Sequence, residues 1–114
     1  MTQRRVLFVC LGNICRSPLA EGIFQHMLDE AGLTGSYDVD SAGTSAYHRG
    51  DAADERSIAV AARHGVELTS RARAVAASDY AEFDLILAMD AENERNLRRD
   101  CPDEHAGKIQ LMGS

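Results

Sequence analysis

A thiol, five intervening residues, a guanidinium and a hydroxyl stand together near the start of the chain, in Cys10-Leu11-Gly12-Asn13-Ile14-Cys15-Arg16-Ser17. That grouping suits chemistry on a phosphoryl group. Backbone N–H groups of a short loop that wraps into a helix point inward and, with the positive helix end, form a cradle for a dianionic phosphate. Leu11, Gly12, Asn13, Ile14, Cys15 and Arg16 are the candidate phosphate-binding residues, and Gly12 permits the bend. Arg16 can offer two parallel donors to phosphate oxygens, more strongly as charge redistributes in a transition state, which a lysine would not reproduce. The same positive surroundings, with the Ser17 hydroxyl, favour the thiolate of Cys10, which makes Cys10 the candidate nucleophile.

Other uses of such a loop fit less well. A nucleoside-triphosphate loop requires a second glycine followed by lysine and then serine or threonine, and a dinucleotide loop requires three spaced glycines; this segment has only Gly12. The alternative that Cys10 and Cys15 are simply small buried hydrophobes accounts for neither the arginine nor the helix start.

The elements that must position this loop can be read from hydrophobic pattern. Val6 to Val9 is a continuous apolar run, as in a strand buried on both faces of a parallel sheet. Ser17 is a candidate N-cap with Pro18 at the first helical position and Glu21 near the positive helix end. Leu19, Ala20, Ile23, Phe24, Met27, Leu28 and Ala31 recur at helical steps up to Gly32, and predict a helix lying flat on the sheet. A short strand is expected over Tyr37 to Asp40, then a turn-rich Ser41-Ala42-Gly43-Thr44 and a loop to about Asp54. Further helices are expected over Glu55 to His64, closed by Gly65, over Ser78 to Phe83, and over Ala91 to Arg99 behind an Asp90 cap. Strands are expected over Leu85 to Met89 and Lys108 to Met112. This alternation predicts one α/β domain over residues 1–114, doubly wound in three α/β/α layers around a four-stranded parallel sheet, with ligands bound at the carboxyl ends of the strands.

Bulk properties narrow the partners. The chain has 114 residues, 45% hydrophobic and 26% charged, and a net charge of −6, which argues against a nucleic-acid surface. Arg71 and Arg73, with Arg95, Arg98 and Arg99, read as solvated faces. No stretch approaches a membrane span, and the basic start lacks a cleavage site, so a cytoplasmic protein is predicted. Three cysteines at these spacings match neither a disulfide framework nor a zinc site. Cys101, beside Pro102, reads as incidental.

The stretch Val9-Cys10-Leu11-Gly12-Asn13-Ile14-Cys15-Arg16-Ser17-Pro18 resembles the signature of the low-molecular-weight protein tyrosine phosphatases. The likeness continues through Asp40-Ser41-Ala42-Gly43-Thr44, Asp54-Glu55-Arg56, Arg71-Ala72-Arg73 and Asp84-Leu85-Ile86-Leu87-Ala88-Met89-Asp90. What the resemblance implies is hydrolysis of phosphotyrosine in a protein, or of an aryl phosphate, through a phosphocysteine intermediate. No metal or cofactor is implied, and inorganic phosphate is the product. By resemblance Cys10 attacks and Arg16 clamps, Asn13 and Ser41 hold the loop by hydrogen bonds, and Ser17 stabilises the thiolate. Tyr47 and His48 match a rim that contacts the aromatic substrate, although Tyr47 reads equally well as a surface aromatic. Cys15 matches a second cysteine that traps an oxidised Cys10 as a reversible disulfide, with loop packing as its alternative.

The family's general acid, an aspartate in an Asp-Pro-aromatic-Tyr segment after the fourth strand, and its last helix have no counterpart before Ser114. A C-terminally incomplete domain is therefore expected, with slow turnover and an apolar sheet face open to homodimer formation. Asp90 is the carboxylate placed nearest the right edge, either as an acid or as a helix cap. Two rivals to the enzyme are a phosphate- or phosphotyrosine-binding module without efficient turnover and an arsenate reductase, which would require a further redox cysteine pair.

Overall fold

The computed structural model describes residues 3–112. Four strands, β1 (Arg4–Cys10), β2 (Tyr37–Gly43), β3 (Leu85–Ala88) and β4 (Ile109–Leu111), form one sheet in the order β2-β1-β3-β4. Every pairing is parallel. Helices α1 (Arg16–Glu30), α2 (Glu55–Arg63), α3 (Ala77–Glu82) and α4 (Ala91–Asp100) alternate with the strands, as the pattern of the sequence predicts. Because β1 pairs with β2 on one side and β3 on the other, the chain reverses its winding direction at the carboxyl end of β1. In a doubly wound sheet that point is a crevice, and the loop after Cys10 fills it.

Leu7 and Val9 of β1 join Ala42, Tyr80, Phe83, Ile86, Ala88, Leu97 and Ile109 in one buried cluster, so the α3 and α4 side of the sheet carries the main core. The guanidinium of Arg5 lies 4.6 Å from the Phe83 ring centroid and closes the amino-terminal edge of that cluster. The opposite face presents Phe8 to Phe24 of α1, edge to face at 5.9 Å, and Phe24 meets Tyr37 in the same manner at 5.8 Å. Two apolar grooves of about 430 and 420 Å³ remain on this side, the first running along Val6, Leu85 and Leu87, the second along Leu19, Ile23 and Met27.

Several boundaries differ from the sequence pattern, each for a visible reason. The segment Ser41 to Gly43, expected as a turn, continues β2 because Ser41, Ala42 and Gly43 pair with Phe8, Val9 and Cys10. Ladder bonds outweigh the turn preference of serine and glycine there. Helix α1 starts at Arg16 and not after a Ser17 cap; its N-cap is Cys15, which makes no side-chain cap bond. The Ser17 hydroxyl is drawn inward by Cys10 and Asn13. Helix α1 packs on β1 and β2, as expected. Leu28 is buried, but Met27 is 59% exposed, because the apolar positions spread around the helix and only part of that spread meets β1 and β2. Asp90, Gly32 and Gly65 end their helices as expected, and Asp54 caps α2 in addition. Asp54 accepts from the Arg56 N–H at 3.0 Å and Asp90 from the Asn93 N–H at 2.8 Å, while Gly32 and Gly65 take φ near +73° and +74° behind α1 and α2.

Candidate active site

Cys10 ends β1 and is 3% exposed at the floor of a cavity of about 500 Å³. The walls are Leu11, Gly12, Ile14, Cys15, Arg16, Ser45, Tyr47 and His48. Four of the loop carbonyls are occupied from outside. Thr44 N–H donates to the Cys10 carbonyl at 3.0 Å, Ser45 N–H to Leu11 at 2.9 Å and Asp54 N–H to Ile14 at 2.6 Å. The Ser57 hydroxyl donates to the Cys15 carbonyl at 3.1 Å. By contrast, among the described residues the amides of Leu11 through Cys15 donate to no protein acceptor. A run of amides left without acceptors beside a thiol and a guanidinium is a site prepared for an anion.

Asn13 holds the loop in this shape. Its φ of +57° makes it the one non-glycine residue with positive φ among the described residues, a conformation asparagine tolerates better than most. The side chain is 2% exposed and fully bonded. Its Oδ1 accepts from the Arg73 N–H at 3.0 Å, while Nδ2 donates to the hydroxyls of Ser17 and Ser41, each at 2.9 Å. Ser17 Oγ in turn lies 3.0 Å from Cys10 Sγ, within reach to donate to a thiolate. Asn13, Ser17 and Ser41 are thus brought together with Cys10.

Arg16 is half exposed at the rim, paired to Asp90 through Nη2 at 2.9 Å. The two readings of Asp90 separate here. Its carboxyl is held below the ordinary carboxylate range by the Asn93 N–H first and the Arg16 hydrogen bond second, and its geometry is that of a helix cap and a tether for Arg16. Cys15 is exposed, and partial burial and then the nearby Asp54 push its thiol above the usual value. At the other rim, Tyr47 is 87% exposed and stacks edge-on against His48 at 4.9 Å, while His48 Nδ1 sits 3.1 Å from Asp51. Tyr47 therefore both borders the cavity and stands in solvent.

Some of the surroundings were not legible from residue types. Arg73, expected on a solvated face, bridges Asp40 at 3.0 Å and the buried Asp79 at 2.9 Å. It ties β2 to α3 and so fixes the backbone N–H that Asn13 accepts. Gly43 looked like a turn glycine, but a Cβ there would lie 2.8 Å from the Leu11 carbonyl oxygen, 3.0 Å from that of Ser45 and 3.1 Å from the Asn13 nitrogen. All three are backbone atoms, so the loop would have to shift.

The phosphatase family described as low molecular weight phosphotyrosine protein phosphatase matches residues 5–114. The low molecular weight phosphotyrosine protein phosphatase of Schizosaccharomyces pombe is 44% identical over 110 residues, 96% of this chain and 70% of that one. The solved protein tyrosine phosphatase of Entamoeba histolytica superposes with a TM-score of 0.94 at 44% identity, over 96% of this chain and 70% of that one. A Drosophila arginine phosphatase superposes at 0.88 with 36% identity, over 95% and 70%. The chain thus spans about 70% of the length of these relatives.

Gly43→Ala is expected to preserve the sheet, because β2 pairing uses only backbone, yet to weaken inorganic phosphate binding by roughly tenfold or more as the loop is displaced. Isothermal titration with phosphate, beside far-ultraviolet circular dichroism, checks both halves; unchanged affinity would remove the close approach at Gly43 as a constraint. Sequence, fold and loop geometry agree, and the chain belongs to the low molecular weight phosphotyrosine protein phosphatase family.

Proposed function

We propose that this chain hydrolyses phosphotyrosine in proteins by way of a phosphocysteine on Cys10. The observation that carries the reading is the ring of loop amides without protein acceptors around the Cys10 thiol, with Arg16 at its edge. Phosphate seats on those amides, and Arg16 turns from Asp90 to two equatorial oxygens. The thiolate, receiving the Ser17 hydroxyl proton as a hydrogen bond, attacks phosphorus; the S–P bond forms as the P–O bond to the phenol breaks. Water then attacks phosphorus, the S–P bond breaks, and phosphate and thiolate are released. Tyr47 and His48 flank the phenyl ring. Fixed donors around the phosphoryl oxygens supply most of the catalysis because they need no reorganisation as charge shifts.

Cys10→Ser is expected to abolish turnover while phosphate binding survives, since amides and Arg16 make the cradle. Arg16→Lys should lose both, with kcat/KM for an aryl phosphate down roughly 10²–10³-fold. Hydrolysis by the serine variant, or wild-type kinetics with lysine, would refute these roles. Phosphoarginine assayed beside phosphotyrosine decides between the substrates named for the relatives.

Among the described residues, none that lines the cavity is a carboxylic acid. With no such acid in the cavity, the rate of phosphocysteine formation is expected to follow the leaving group, faster with nitrophenyl phosphate than with phosphotyrosine, whose phenol has a pKa of about 10. Single-turnover rates across phenols of graded pKa test this, and a flat series would reveal a proton donor.

Cys15 serves as a guard for Cys10. When a peroxide oxidises Cys10 to its sulfenic acid, the Cys15 thiol displaces water to give a disulfide, which thiols reduce. Reversal of peroxide inactivation by dithiothreitol should be nearly complete in the wild type and much reduced in Cys15→Ser. Equal recovery would leave Cys15 as a packing residue.

A further inference from the structure

Behind the loop, on the side away from the cavity, a carboxylate completes the hydrogen-bond chain that ends on the thiol. Glu21, on α1 and half-buried, accepts from the Ser41 hydroxyl. Ser41 Oγ accepts from Asn13 Nδ2 at 2.9 Å, the same nitrogen donates to Ser17 Oγ at 2.9 Å, and Ser17 lies 3.0 Å from Cys10 Sγ. We propose that Glu21 is a positioning residue for Cys10, setting through Ser41 and Asn13 the direction in which the Ser17 hydroxyl points. The proposal rests on Cys10 being the nucleophile.

A serine hydroxyl has a single proton and an ionised carboxylate can only accept, so Ser41 must give its proton to Glu21 and keep its lone pairs for Asn13. At the other end of the amide, the Arg73 N–H requires an oxygen, which fixes Oδ1 there and turns Nδ2 toward both serines. Ser17 then receives a hydrogen bond and has its own proton free. Two acceptors compete for that proton, Cys10 Sγ at 3.0 Å and the Ala42 carbonyl at 3.5 Å. With every link oriented, the proton goes to sulfur.

Without the carboxylate the chain loses its direction. A glutamine can present Ser41 Oγ with a donor that competes with Asn13 Nδ2, which loosens the hold of Ser41 on the amide and weakens the hydrogen bond that Ser17 receives. Burial raises the Glu21 pKa and Asp40 adds to that push, while the Ser41 hydrogen bond and Arg73 oppose it. His26 and Asp29 of α1 and Glu67 beyond α2 line the polar groove into which the outer edge of Glu21 opens. Phosphate meets the backbone N–H groups of the loop and Arg16, whereas Glu21 reaches the loop only through side-chain hydrogen bonds and leaves the Arg73 N–H to Asn13 bond and the ties of the loop carbonyls in place, so reactivity of the thiol and affinity for phosphate should separate.

The readout is the alkylation rate of Cys10 by iodoacetamide at pH 7, located by mass spectrometry, with inorganic phosphate affinity measured alongside. It needs a thiol but no turnover. Glu21→Gln is expected to slow alkylation roughly threefold to tenfold, the effect of one net hydrogen bond, while phosphate affinity stays within about twofold. In a Ser41→Ala background the same substitution should have no further effect, because the link it acts through is already gone. Glu21→Met, of similar volume, is carried in parallel in case the glutamine variant folds poorly, and should slow alkylation likewise. Unchanged alkylation overturns the proposal. Faster alkylation also overturns it, since that is the result expected if Glu21 acted only as a nearby negative charge. So does equal slowing in the Ser41→Ala background, or a matched loss of phosphate affinity, which would mean a loosened loop. Failure of the nucleophile assignment would show separately, as turnover in Cys10→Ser with Glu21 intact.

Discussion

The site depends on the Asn13 carboxamide. One buried side chain, itself on a backbone in the left-handed region, satisfies two serine hydroxyls and one backbone N–H from three separate segments. A network of this kind, buried and completely bonded, holds one geometry because each alternative leaves a polar group without a partner, at a cost of about 1–3 kcal/mol each. The left-handed conformation at Asn13 is tolerated because those three bonds and the outward ties of the loop carbonyls determine it together.

The fold supplies the platform for this arrangement. The parallel order β2-β1-β3-β4 places the end of β1 where the winding direction changes, and the β1–β2 register sets Gly43 beside Cys10 and Ser41 beside Phe8. From that register follow the close approach of two backbones at Gly43 and the position of Ser41 beneath the loop. The Arg73 bridge to Asp40 and Asp79 holds the third segment against the first two, and an arginine suits the task because its planar fork can serve both carboxylates at once.

Charge is distributed between the two sides of the loop according to use. Toward solvent, Arg16 is held by Asp90 at the amino end of α4, a carboxylate kept ionised by the helix N–H it accepts. An exposed pair of this type is weak, so the guanidinium can exchange partners, as the proposed binding of phosphate requires. On the inner side, Glu21 and Ser41 are shielded and therefore more strongly oriented. The outer pair can open for substrate, whereas the inner chain remains closed.

The residues between Cys10 and Ser17, read with the apolar run before them and the helical pattern after, were enough to place a phosphate loop between β1 and α1 at the carboxyl edge of a doubly wound sheet. That much is local, because spacing and residue type determine which groups a short loop can present. The alternation of strand and helix and the cap at Asp90 were legible for the same reason. The extension of β2 through Gly43 was not, since a turn preference is overridden only by a partner strand that is distant in sequence. Nor could spacing reveal that Ser17 faces the thiol instead of capping α1, that Arg73 is an internal bridge, or that Glu21 reaches Ser41. Each of these links residues 20 to 60 positions apart or depends on competition between two acceptors, and such choices are decided only when packing brings the segments together.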